Sequence, residues 1–420
     1  MQSLAYRPPS ATHGAVGAIG LVSFLFALAI LHISHPFGNN MVWSALFVMV
    51  STAGGIFIVY LGWLRVHQRP STGMDFGHDD PSWPRSLVKY AGFAGSLFFV
   101  GLLYWLFPEY HGAFYDRFYD LLKIIVPLAL ILGLPYLYLV DRHMPEPHDG
   151  TWQMGMLVLI QWQAIDYRKL GQHLLGWLIK GFFLPLMFVA MCDGLNKFLT
   201  SDIGNMTTFK AWFDFLYDFL YFIDVGWVSM GYLMTFRLTD THIRSAEPTM
   251  LGWAVALVCY EPFWSLFGRQ YLAYDAGITW GQWLWNSPVA YCLWGGMILA
   301  LVMIYVWATV IFGARFSNLT HRGIITNGPY RWTKHPAYIA KNLTWWLISV
   351  PFLSQGAPDE AFRHCLLLLG LNGIYLLRAK TEEWHLSRDP DYVCYAQWIE
   401  QHGLFHFIRR PIALSNNRLG

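Results

Sequence analysis

The chain has 420 residues, of which 55% are hydrophobic, 18% aromatic and only 13% charged. Soluble domains carry about a quarter charged residues, so this composition excludes an ordinary soluble protein and points to a membrane. A formal net charge of +2, with no Arg/Lys stripe interleaved with aromatics, excludes a nucleic-acid binder.

The cysteines Cys192, Cys259, Cys292, Cys365 and Cys394 show no CxxC or other ligand spacing, and four of them lie in apolar runs. The histidines are scattered without an HExxH motif. The expectation is no disulfide and no metal site. The first apolar run is too long for a signal-peptide core and lacks a basic leader and a small-residue cleavage site, so it reads as a retained span.

A membrane span needs about 20 largely apolar residues. That test marks ten candidates, near 14–33, 41–64, 88–107, 119–140, 174–196, 212–236, 249–268, 287–313, 341–354 and 361–377. The ninth is short and ends at Pro351, so the last two form a tight hairpin. The run 154–160 is too short to cross and lies in the interface or turns back. With ten spans, twenty-one of the 28 basic residues fall on one side, among them Arg7, Arg69, Arg237, Arg322, Arg378, Arg409, Arg410 and Arg418. The positive-inside rule makes that side cytoplasmic and puts both termini there, in an inner or plasma membrane. No internal repeat stands out. The predicted fold is an all-α polytopic transmembrane helix bundle, with a membrane-embedded body over 1–285 that gives substrate access and a cofactor-binding unit over 286–420.

Two polar patches carry the chemistry. The first is Gly328-Pro329-Tyr330-Arg331-Trp332-Thr333-Lys334-His335-Pro336-Ala337-Tyr338 and the second Arg378-Ala379-Lys380-Thr381-Glu382-Glu383. Gly328-Pro329 signals a turn. Pro336 suits the first position of a helix, where its missing N–H costs nothing. Tyr338 and Asn342 then share one helix face, as do Arg378 and Glu382, whereas Glu383 is offset by about 100° and faces elsewhere. Tyr392 and Tyr395 sit three apart on a further short helix. The free N–H groups at the start of the first helix suit an anionic group. Together the patches supply an acid for an ammonium, donors for a carboxylate and aromatic faces for a purine or a sulfonium. S-adenosylmethionine carries all of these groups.

Acids also lie inside apolar runs: Asp193, Asp214, Asp218, Asp224 and Glu261. An ionisable group at the centre of a span costs about 2.5–3.5 kcal/mol on insertion scales and so raises a functional question. Asp224 and Glu261 either meet a substrate or hold a structural hydrogen bond. Asp240 and His242, at the mouth of the sixth span, either touch a substrate headgroup or sit in a solvated loop.

Residues 327–338 resemble the GPYRxxRHPxY motif of integral-membrane methyltransferases, the isoprenylcysteine carboxyl methyltransferases and related phospholipid methyltransferases. Residues 378–398 resemble that family's second motif, an Arg, a Glu-Glu pair and two spaced tyrosines. The resemblance implies that Tyr330, Arg331, His335, Pro336 and Tyr338 line a cofactor site closed by Arg378, Glu382 and Glu383, with His335, Arg378 and Glu382 nearest the chemistry. Three positions depart from the pattern: Lys334 replaces an arginine, Ala340 a glycine, and Asp389-Pro390 a Phe-Gly. The length and span number also resemble membrane sterol reductases, which use NADPH, although Ala337-Tyr338-Ile339-Ala340-Lys341 lacks their Asn-Tyr-x-Gly-Asp. Three functions follow: a methyltransferase using S-adenosylmethionine on a lipid or isoprenoid-like hydrophobic acceptor, an NADPH-dependent sterol or isoprenoid reductase, or a non-catalytic or lipid-binding membrane component. The oligomeric state is not legible.

Overall fold

The computed structural model describes residues 6–275, 278–353 and 358–406; Arg409, Arg410 and Arg418, counted above among the basic residues, lie outside them. The described chain is helical almost throughout: α1 (Gly14–Ser34), α2 (Met41–Ile58), α3 (Trp83–Leu106), α4 (Asp116–Asp141), α5 (Gly150–Val158), α6 (Tyr167–Thr200), α7 (Phe209–Leu233), α8 (Met250–Leu257), α9 (Arg269–Tyr271), α10 (Trp280–Leu284), α11 (Pro288–Val310), α12 (Pro336–Ser349), α13 (Pro358–Leu386) and α14 (Pro390–His402). Half of the long helices start where a short polar side chain caps free N–H groups: Asn40 for α2, Ser82 for α3, Asp166 for α6 and Thr208 for α7. The only sheet among the described residues is one antiparallel pair, β1 (Ser245–Ala246) with β2 (Thr320–His321).

Among the described residues, six helical segments are long and apolar enough to cross a membrane: α1, Met41–Trp63, α3, Ala113–Asp141, α6 and α11. The chain is thus an all-α membrane bundle, but the ten expected spans are not ten equivalent helices. α7 has 25 residues, yet Lys210, Asp214, Asp218 and Asp224 dilute its apolar character. The expected seventh span is broken. α8 ends at Leu257, and only a π-helical turn over Trp264–Gly268 leads on to α9. Pro262 supplies no backbone N–H and disfavours helix in the residue before it. The ninth is the 14-residue α12, and the tenth lies within the 29-residue α13. The run 154–160 spans the end of α5 and the turn after it, and α5 packs against α3 so closely that a Cβ on Gly155 would lie 2.0 Å from the Val88 carbonyl oxygen.

The loops assigned to one side do meet at one end of the bundle. Arg69 donates to the Ala11 carbonyl, Ser71 to Asp240, Arg142 to Asp79, Arg237 to Asp149, and Ser245 lies 2.9 Å from His385. At the other end Arg117 pairs with Asp193 and Lys197 with Asp218, so these acids are wet and locally paired.

Candidate functional site

The connection from α11 to α12 is irregular but firmly held. Arg322 is almost fully buried and donates to the carbonyls of Gly231, Met234, Thr241, Ala314 and Phe316. Two of these belong to the end of α7, where helix carbonyls lack intrahelical partners. Gly231 lets the backbones approach, since a Cβ there would stand 2.3 Å from the Phe316 carbonyl oxygen. The N-terminal segment runs along the same connection: Ala11 N–H donates to the Ile324 carbonyl, Thr326 Oγ1 to the Pro8 carbonyl and Asn327 Nδ2 to the Thr12 carbonyl. These bonds deliver Gly328, whose φ is +56°, into a 3-10 turn over Gly328–Arg331. The turn points the chain at α12, which begins at Pro336 as the sequence requires.

α12 and α13 run antiparallel, fastened by Trp346 Nε1 donating to Asn372 Oδ1 at 2.8 Å and by Asn372 donating to Asn342. This brings the two patches face to face. Tyr338 donates its hydroxyl to Glu382, and Arg378 Nε lies 3.6 Å from the same carboxylate. His335 Nδ1 is 3.9 Å from Glu382 Oε2, while His335 Nε2 is 3.1 Å from Glu383 Oε1. Glu383 thus lies off the cavity, as its offset on α13 implies, but it still holds His335. Lys334 and His335 leave a loop at the flank of α13 and reach its neighbouring acid as well, with Lys334 at 2.9 Å and Lys380 at 3.0 Å from Glu383. Burial works to raise the Glu383 carboxyl, but hydrogen bonds from His335, Lys334 and Lys380 outweigh it and hold it well below the usual range.

Between the patches lies a cavity of about 180 Å³. Tyr330, Lys334, His335, Tyr338, Arg378 and Glu382 line it, as do Tyr392 and Tyr395 from α14. Arg378 is buried, with its guanidinium carbon 5.2–5.7 Å from the ring centres of Tyr260, Tyr338 and Tyr375, and it donates to Asn318 Oδ1 at 2.6 Å. Several buried polar atoms around the cavity have no hydrogen-bond partner, among them Thr320 Oγ1, Arg378 Nε and Tyr392 Oη, a pattern that asks for a polar guest. Arg331 is exposed, Pro336 is buried beneath the helix start, and neither lines the cavity; Glu383 holds His335 from outside it.

The other candidates separate. Asp224 sits behind the cavity and accepts hydrogen bonds from Tyr305 and Thr309, both at 2.6 Å. Asp240 is not in a solvated loop: it is 1% exposed and pairs with Arg315 at 2.8 Å. Glu261 is half-exposed and pairs with Arg269. His242 lines a second, larger cavity. Sequence reading missed Asn318 and Tyr260, supplied across long separations, and Lys341 as lining residues. Lys341 had one local signal, a cation one turn beyond Tyr338; its ammonium lies 5.4–5.7 Å from the ring centres of Tyr305, Trp345 and Tyr375. The departures also find roles. Ala340 is packed in the interior, and Asp389 caps α14, whose first residue is Pro390, while pairing with His321.

No curated protein and no solved structure matches the chain. Residues 289–388, which contain both patches and the helices that carry them, match the model of the isoprenylcysteine carboxyl methyltransferase (ICMT) family.

Proposed function

We propose that the cavity between α12, α13 and the 311–335 connection binds S-adenosylmethionine, and that the protein methylates a lipophilic acceptor, a carboxylate or a lipid headgroup, at the cytoplasmic face. The observation that carries this reading is the convergence of His335 and Glu382, far apart in sequence, on one cavity walled by tyrosines around a buried arginine. The residues fit the group. Glu382 offers a carboxylate to the ammonium, and Arg378 with the free N–H groups of α12 offers donors to the carboxylate. The faces of Tyr330, Tyr338 and Tyr392 suit the adenine and the sulfonium.

The chemistry supplied by the bound donor is a sulfonium methyl: as the acceptor oxygen forms its C–O bond, the C–S bond breaks and its electron pair stays on sulfur. For a carboxylate acceptor no base is needed. The apolar, tyrosine-walled site then favours the reaction by excluding water from a step in which opposite charges neutralise. For a hydroxyl acceptor His335 takes the proton, with Glu383 orienting the ring through Nε2 and leaving Nδ1 toward the cavity. Pockets for drug-sized ligands hold about 300–1,000 Å³, so a nucleoside enters only when the direct Tyr338–Glu382 contact gives way. The body over 1–285 would then serve acceptor access, and the basic bias of this end supports its cytoplasmic placement.

Calorimetric titration of the purified protein tests the reading. The expected result is saturable binding of S-adenosylmethionine, competed by S-adenosylhomocysteine. Binding of NADPH in its place would favour the reductase, and binding of neither a non-catalytic role.

A further inference from the structure

The body holds a separate cavity of about 2340 Å³ between α2, α3, α4 and α6. It exists because α4 is loosely packed: Phe118, Leu121, Val140 and Asp141 are its only buried residues. The middle of α4, with Pro127 and Pro135 inside it, meets α3 where Tyr90 Oη donates to the Leu130 carbonyl, and the space beside it forms an apolar chamber. Its inner end is cationic. Lys180 lines it, 13 residues into α6 and so about 20 Å along that helix. Lys180 has no carboxylate partner among the described residues; its ammonium donates to Thr235 Oγ1 and lies 4.8 Å from the Trp177 ring centre. The nearby cations are already matched: Arg85 and Lys89 with Asp141, and Arg237 with Asp149. The remaining acids of the lining, Asp75, Glu146 and Asp166, are exposed at its rim. His242 faces the same cavity with Nδ1 buried and unpartnered, and burial followed by Arg237 keeps its ring neutral.

A cation inside a span without a counter-charge is costly unless an anion joins it. We propose that this cavity binds a lipid whose phosphate headgroup sits against Lys180, Thr235 and His242, with its chains in the chamber beside α4. The ammonium, the hydroxyl and the imidazole can address several oxygens at once, which suits a phosphate better than the two oxygens of a carboxylate. The inference does not depend on methyl transfer.

Native mass spectrometry of delipidated protein in detergent tests it, with dioleoyl phosphatidic acid, dioleoyl phosphatidylcholine and oleate as probes. Phosphatidic acid should be retained about tenfold better than phosphatidylcholine, as expected for one charge-assisted contact. Lys180→Met should abolish that preference and Lys180→Arg should keep it, which separates loss of charge from loss of fold. Gly101→Trp should reduce retention of every probe, because Gly101 lines the chamber and a Cβ there meets nothing within 4 Å. Equal retention of the two phospholipids, preferential retention of oleate, or an unchanged preference in Lys180→Met would overturn the proposal.

Discussion

Replacing Glu382 by glutamine keeps the size of the side chain and removes its charge. In the structure this carboxylate accepts from Tyr338, stands 3.6 Å from Arg378 and lines the cavity. Arg378 keeps Asn318 and its three tyrosine rings, so the loss of stability should be modest, about 1 kcal/mol, well below the 3–5 kcal/mol for a buried ion left with no partner. The effect on a donor held by its ammonium should be larger. A hydrogen bond to a charged group contributes about 1.5–3 kcal/mol, which corresponds to a Kd for S-adenosylmethionine raised about 10- to 150-fold. Titration calorimetry on Glu382→Gln and Glu383→Gln, with melting temperatures recorded in parallel, makes the comparison. Glu383 lies outside the cavity, so its variant should bind the donor within about threefold of wild type, less than 1 kcal/mol. Wild-type affinity in Glu382→Gln, or equal losses in both variants, would refute the assignment of the ammonium to Glu382.

Three further outcomes follow from the same geometry. Arg322→Met should fail to accumulate as folded protein, because it takes the donor from five carbonyls, of which those of Gly231, Thr241 and Ala314 accept in buried bonds, at about 1–3 kcal/mol for each buried group left unpaired; normal yield and melting temperature would show that the connection is held otherwise. Gly155→Leu should separate α5 from α3 and lower the melting temperature, since its Cβ would fall 2.0 Å from the Val88 carbonyl oxygen and a helix backbone cannot yield that far; an unshifted melting curve would contradict the packing. Stability should also fall with acid in two ranges. His321 is held to about 4 by burial and then Arg244, so the unfolded chain takes the proton first and stability drops from about pH 6.5 to about 4, by about 3 kcal/mol in all. Glu383, held low, contributes fully above its unfolded value of about 4.3 and loses that contribution as the pH falls further. Thermal melts of His321→Asn and Glu383→Gln from pH 7.5 to 3.5 should flatten the upper and lower ranges respectively, and parallel curves for wild type and both variants would rule this out.

What the sequence disclosed was mostly local. Pro336 opening a helix, the short ninth helix packed back against the tenth, and Tyr392 and Tyr395 on one short helix all follow from proline chemistry and helical spacing. The pairing of the patches was also legible, because each is a dense polar group next to an apolar run. The rest was set by contacts with no sequence period. Glu383 does lie off the cavity as its position on α13 implies, but its hold on His335 was not legible, since its partners Lys334 and His335 arrive from a loop whose path is set by Arg322, Gly231 and the N-terminal segment. Asp240 read as a solvated loop residue because nothing nearby in sequence announces Arg315. The seventh span read as continuous because Pro262 sits among apolar neighbours, and α7 read as a span although it is not among the six described helical segments long and apolar enough to cross a membrane.

The central claim is that two sequence-distant clusters grip one methyl donor beside the bilayer. Incubation of membranes containing the protein with S-adenosylmethionine labelled in its methyl group, followed by organic extraction, measures it most directly. Label should enter the extracted lipid fraction with wild-type protein and fall to background with Glu382→Gln or His335→Ala. Extractable label that is the same with wild type, with either variant and with membranes lacking the protein would contradict the account.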